Sequence, residues 1–254
     1  MSMKSDSVLY SFVQRNIAPV VKRYSRLEVV GLENLPPEGE GALLACNHSG
    51  SVWWDALCLI AGLGDRPVNF VAHHWDAKLR FMRLFLENFG CGFLDEHVCD
   101  ICESGSVVKG VQSGKLMCIY PEESYHSFRH RYTLFKFSPH VVKYADIAKV
   151  PIIPITIIGA EEAAATFFGP KFKNVPLHIP LHPPIILPFK VTIDIGKPYF
   201  YEELLPSDTE TVMGKDECYA QAAEQLREHM FSTMSQYRTC RLSDEKYIDR
   251  LAWY

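Results

Sequence analysis

The segment "GALLACNHSGSVWWDALCLI", Gly41 to Ile60, governs how the rest of the chain is read. Its first apolar run, Ala42 to Cys46, has the length of a buried strand. That run delivers Asn47 and His48 into the small, turn-prone Ser49-Gly50-Ser51, and a second apolar run after it has the length of a helix. A strand, a polar turn and a helix in that order are the first parts of a β-α-β unit. In sheets built of such units, functional side chains lie just past the C-termini of strands. His48 stands at that point, and Asp55 follows seven positions later. On one unbroken helix the two would stand about 10 Å apart along the axis. The turn supplied by Gly50 and the serines brings them within pairing distance, and a carboxylate on one imidazole nitrogen leaves the other as a general base.

Outward from this segment, strand-like and helix-like stretches alternate. "RLEVVGL" and "VNFVAH" read as strands, and "DAKLRFMRLFLENFG" as an amphipathic helix closed by Gly90. A helix from about Asp100 to Ser113 precedes the strand "LMCIY". The helical "FSPHVVKYADIAKV" precedes the strand "PIIPITIIG", and near the end "KVTIDIG" is a strand and "DECYAQAAEQLREHMFSTMSQY" a long helix. The fold class expected is α/β, a single domain with a largely parallel or mixed β-sheet covered by helices. The 254 residues, 48% hydrophobic, contain no linker, repeat or low-complexity tract, so residues 1–254 are read as one domain. Pro121 and Glu122 follow "LMCIY" as His48 follows its own strand, so two polar sites converge on one cleft.

A net charge of −4 argues against a nucleic-acid partner. Residues 1–26 are locally basic, with Lys4, Arg15, Lys22, Arg23 and Arg26 against Asp6, or +4 (5 − 1). Within 8–24, Val8, Leu9, Phe12, Val13, Ile17, Val20 and Val21 recur at roughly helical spacing, with Arg15, Lys22 and Arg23 outside the stripe. That pattern predicts an amphipathic segment, residues 1–24, in contact with a lipid bilayer surface; the alternative is a stripe packed on the core, broken at Pro19. The N-terminus lacks a secretory signal pattern, and no segment reaches the roughly 18 apolar residues that span a bilayer. A cytoplasmic, peripheral membrane protein is expected.

Eight irregularly spaced cysteines, three of them (Cys46, Cys58, Cys118) inside apolar runs, read as reduced side chains. Cys99 and Cys102, with Cys91 and His97, approach a zinc-ligand spacing, but one CxxC without a second ligand pair is a weak signal, and no metal is expected. His73 and His74 with Asp76 read as a helix cap and solvated face. Trp53 and Trp54 read as core or interfacial packing. Ser49 and Ser124 lack the Gly-x-Ser-x-Gly elbow of a serine nucleophile.

Four stretches, "RLEVVGLENLPPEGEGALLACNHSG", "GCGFLDE", "IYPEES" and "VPIIPITIIGAEE", resemble at matching spacings the glycerolipid acyltransferase superfamily of 1-acylglycerol-3-phosphate acyltransferases. The resemblance covers roughly residues 25–200, implying a catalytic core there and leaving 201–254 as a helical C-terminal region. It implies direct acyl transfer from acyl-CoA or acyl carrier protein to a lysolipid or other glycerolipid hydroxyl, with no cofactor, no metal and no acyl-enzyme. His48 is then the base and Asp55 its partner. Glu122 organises the acceptor or its loop, and Asn47, Gly50 and Pro121 belong to the loop that stabilises the oxyanion. Three departures qualify the resemblance. Six residues rather than four separate His48 from Asp55; the second block ends in Glu96 and the third in Tyr125, where the family carries phosphate-binding arginines. Arg129 and Arg131, with Ser124, are the substitutes at hand for acceptor binding. The expected acceptor moves from lysophosphatidate itself towards a lysophospholipid with a substituted head group or a neutral glycerolipid. The rival from another class is a non-catalytic lipid-binding protein on the same frame.

Overall fold

In the computed structural model, which describes residues 8–49, 53–73, 78, 80–95, 97, 100–103, 105–123, 128–165, 167–168, 180–181, 185–205 and 214–239, the apolar runs of the sequence become the strands of one sheet. The helices are α1 (Val8–Phe12), α2 (Ala18–Tyr24), α3 (Trp54–Leu63), α4 (Arg80–Phe89), α5 (Ser106–Gln112), α6 (His140–Ala148), the single turn α7 (Ala160–Ala163) and α8 (Lys215–Tyr237). The strands are β1 (Glu28–Val30), β2 (Ala42–Cys46), β3 (Val68–Ala72), β4 (Gly92–Phe93), β5 (Leu116–Ile119), β6 (Ile152–Ile158), the short ribbon β7 (Phe167–Phe168) and β8 (Pro180–Leu181), and β9 (Thr192–Ile195). The seven-stranded sheet runs β1-β9-β6-β2-β5-β3-β4. All its pairs are parallel except β6 with β9. The expected mixed α/β sheet is therefore present, with β2 at its centre.

Period-two alternation splits the core into two layers. Ala42, Leu44 and Cys46 of β2 and Leu116 and Cys118 of β5 face α1, α2 and α3, against Tyr10, Val13, Val21, Cys58 and Leu59. Leu43, Ala45, Met117 and Ile119 face α5, α6 and α8, against Val108, Val142, Tyr144 and Leu226. Both faces of β2 are wholly buried. That is why its sequence is an unbroken apolar run rather than an alternating one.

Two local expectations are corrected. The helix expected from Asp100 starts only at Ser106, because Gly105 in extended conformation (φ −60°, ψ 151°) caps it. The apolar stripe of 8–24 is not one face: Val13 and Val21 are buried and Ile17 packs on the core, while Val8, Phe12 and Val20 are exposed. A π-helical turn, Val13–Ile17, joins α1 to α2. Its wider turn offsets the rotation that a spacing of four accumulates on an α-helix, so Val13, Ile17 and Val21 all point inward. Pro19 does not break the segment; it sits in the first turn of α2, where a missing N–H costs nothing. Tyr10 anchors the helix by accepting the backbone N–H of Val68 at 3.0 Å.

Candidate active site

Parallel β2, β5, β3 and β6 bring four chain segments to one edge of the sheet. Past β2 stand Asn47 and His48, past β5 Tyr120 to Glu123, past β3 His73, and past β6 the turn α7. At the centre, His48 Nδ1 meets Asp55 Oδ2 at 2.5 Å; His48 is 11% exposed and Asp55 wholly buried. The approach across seven positions depends on Trp53, whose left-handed backbone (φ 57°, ψ 25°) precedes α3. Asp55 thus enters the first turn of α3, where the helix dipole favours its charge, and its Oδ1 accepts the Ala56 N–H at 2.8 Å. Burial, followed by the charge of Asp55, pushes the nearby Cys58 thiol well up.

Three further contacts fix His48. Its ring stacks on Tyr120, centroids 4.4 Å apart, and Tyr120 in turn lies parallel to Phe70. Its backbone N–H donates to Glu122 Oε1 at 3.1 Å, while Glu122 Oε2 accepts the Phe135 N–H at 2.7 Å. Glu122 is buried and joins two loops. Asn47 uses its side-chain amide as an extra rung of the sheet: Nδ2 donates to the Ile157 carbonyl at 2.9 Å and Oδ1 accepts the Ile157 N–H at 2.7 Å. The strand end that carries His48 is thereby clamped to β6. The Pro121 carbonyl accepts the Ser138 N–H at 2.7 Å.

Residues 26–158, just over half the chain, match the family model described as Acyltransferase. The chain belongs to the acyltransferase family. Among curated relatives, an uncharacterized protein of Mycobacterium leprae is 28% identical over 84% of this chain and 62% of its own length. An uncharacterized protein of Mycobacterium bovis is 29% identical over 84% of this chain and 63% of its own length. The chain thus spans a little over three-fifths of the length of these relatives. Its fold is shared by the crystal structure of PlsC, the 1-acyl-sn-glycerophosphate acyltransferase of Thermotoga maritima, with a TM-score of 0.57 and 15% identity over 91% of this chain and 82% of that one.

Beside the His48 pair, the chain carries a second imidazole–carboxylate cluster that the sequence did not reveal. Glu123, with a left-handed backbone (φ 50°), places Oε1 2.8 Å from His140 Nδ1 and Oε2 3.7 Å from His73 Nε2. Ser138 Oγ also lies 2.5 Å from His140 Nδ1. Burial alone would push the Glu123 carboxyl up, but the neighbouring His140 and His73 imidazoles and Ser138 outweigh it and hold the group well below the usual carboxylate range. His73 is thus a partner of Glu123 across the cleft rather than a solvated helix cap. The only sequence signals were the doubled Glu122-Glu123 and a histidine past an apolar run.

Beside α7, a cavity of about 500 Å³ is walled by Phe128, Arg131, Glu162, Ile185, Leu187 and Phe189, with neither His48 nor Asp55 among its lining residues. Arg131 lays its guanidinium over the Phe128 ring, 4.7 Å from the centroid, and donates to the Phe128 carbonyl at 3.2 Å. Arg129 belongs to the short turn Phe128–His130, and its side chain lies outside the described residues. Gly50, His74, Asp76, Glu96, Cys99, Ser124 and Tyr125 also lie outside them. Of the other residues weighed as a zinc spacing, Cys91 is buried in the core, and His97 and Cys102 are exposed.

Proposed function

We propose that this acyltransferase moves a fatty acyl group from the thioester of acyl-CoA or acyl carrier protein to a hydroxyl of a lysophospholipid or other glycerolipid, at a membrane surface. The observation that carries the reading is the buried contact of His48 Nδ1 with Asp55 Oδ2 at 2.5 Å, at the C-terminal edge of the central strand. With Nδ1 held by the carboxylate, Nε2 takes the proton of the acceptor hydroxyl. The oxygen then attacks the thioester carbonyl, an ester C–O bond forms, the C–S bond breaks, and the imidazolium returns its proton to the departing thiolate. Asp55 stabilises the imidazolium while it carries that proton. Glu122 and Asn47 act as positioning residues, since both hold backbone. The apolar walls of the cavity beside α7 suit an acyl chain, and Arg131 among its lining residues suits an acceptor phosphate.

The test is purified protein given labelled acyl-CoA or acyl carrier protein with a panel of lysophospholipids, lysophosphatidate and diacylglycerol. Transfer to one acceptor class, lost in His48→Ala, is the expected result. Consumption restricted to lysophosphatidate would make the protein a lysophosphatidate acyltransferase proper. Binding of lipids with no transfer from either donor would overturn the enzyme reading in favour of a lipid-binding protein. Arg131→Ala is expected to raise the KM for phosphate-bearing acceptors with little change in kcat, because it supplies uniform binding.

A further inference from the structure

Helix α4 has no buried residue. One side of it, Leu86 and Phe89, leans on the core, and Phe89 meets Tyr10 of α1 with ring centroids 5.5 Å apart. The other side presents Phe81, Leu84 and Phe85, at spacings of three and four that form one stripe. Phe81 is 70% and Leu84 61% exposed. Trp53, itself 44% exposed, stacks on Phe85 at 5.7 Å and 15°. On the adjoining α1, Val8 and Phe12 are exposed as well. Exposed aromatic and aliphatic side chains grouped in this way on a soluble surface mark an interaction site.

The charges around the patch identify the partner. Among the described residues, 8–26 and 78–89 carry seven basic side chains (Arg15, Lys22, Arg23, Arg26, Lys78, Arg80, Arg83) and one acidic (Glu87), a local +6 (7 − 1). With −4 overall, the rest of the chain bears −10 (−4 − 6). An apolar, aromatic stripe bordered by Lys and Arg, on a chain otherwise acidic, is complementary to an anionic lipid surface and not to a neutral protein groove. Trp53 links the patch to the site, since it immediately precedes α3 and lies two positions before Asp55.

We propose that Trp53, Phe81, Leu84 and Phe85, with Val8 and Phe12, form the face that enters the interfacial layer of an anionic membrane. This face, rather than the whole apolar stripe of residues 8–24, sets the orientation of the molecule, with the His48 site adjoining the bilayer. The inference rests on the lipid-acceptor reading for its purpose but not for its geometry.

Full-length protein is sedimented with vesicles of phosphatidylglycerol and phosphatidylcholine, or of phosphatidylcholine alone, at low and high salt. Wild type is expected to bind the anionic vesicles, less at high salt. Phe81→Ser/Leu84→Ser is expected to weaken binding by about tenfold or more, because two large apolar side chains no longer insert. Arg80→Glu, at an exposed position where folding is preserved, is expected to weaken binding to anionic vesicles by about tenfold and to leave phosphatidylcholine binding unaltered. Both variants are expected to retain wild-type transfer from a short-chain acyl thioester to a sub-micellar lysolipid. Wild-type vesicle binding in both variants would overturn the proposal, as would a concentration-dependent dimer in lipid-free solution abolished by Phe81→Ser/Leu84→Ser, which would assign the face to a second copy. Loss of vesicle binding in the variants alongside no transfer by any form would sink the enzymatic reading and leave the membrane face standing. Normal transfer alongside unchanged vesicle binding would do the reverse.

Discussion

The chemistry of the His48–Asp55 pair is set by what each nitrogen and oxygen already contacts. Nδ1 is held at 2.5 Å by a carboxylate that is wholly buried, which fixes the imidazole in one orientation, and in the proposed reaction Nε2 takes the proton. His48→Ala is expected to lower kcat by about 10²- to 10⁴-fold with the melting temperature little changed, since a general base contributes on that order. Asp55→Asn is expected to lower kcat as well, by leaving the wrong or an unanchored tautomer. Steady-state kinetics with circular dichroism as the folding control check both. Wild-type turnover by folded His48→Ala would remove the imidazole from the mechanism.

At the scale of elements, the decisive device is the junction of β2 with its loop. β2 ends at Cys46, yet Asn47 continues the pairing with β6 through its side chain, satisfying both the N–H and the carbonyl of Ile157. His48 therefore leaves the sheet from a clamped position, and its own N–H is then taken by Glu122 past β5. Asn47→Ala leaves two buried backbone groups without partners, at about 1–3 kcal/mol each, so a loss of about 2–6 kcal/mol is expected in urea unfolding. Because the clamp also aims His48, kcat is expected to fall in the same variant at temperatures where it remains folded. A variant with wild-type stability would show that the side-chain rung contributes nothing.

Across the whole molecule, elements distant in sequence meet on Glu123: His73 past β3, and Ser138 with His140 at the start of α6. The carboxyl is held below its usual range in the folded state, so it binds protons less readily there than in the unfolded chain. Its contribution to stability is therefore full above the ordinary Glu value of about 4.3 and is lost as pH falls from there towards the lowered folded value. Glu123→Gln is expected to be less stable than wild type between about pH 5 and 6, with the margin narrowing below about pH 4.3. Urea midpoints across that range measure it, and a margin independent of pH down to 3 would show that the carboxylate charge is not what holds the cluster.

The sequence by itself determined the α/β alternation, the strand that carries His48 and the identity of the His48–Asp55 pair, because each rests on local features. A buried strand is a short apolar run, a helix repeats at 3.6 residues, and a turn needs small residues, all within about ten positions. The tertiary structure alone decided the rest. Which of two adjacent glutamates braces the His48 backbone depends on a contact across 74 positions. The pairing of His73 with Glu123 spans two strands, and the antiparallel entry of β9 between β1 and β6 is a matter of sheet assembly. The inward face of residues 8–24 was set by a π-helical turn, and the exposed face of α4 by where α1 and α3 had already covered the core. Such contacts join segments whose separation carries no periodic signal, so only the folded chain, with its competing ways of burying apolar surface resolved, selects among them.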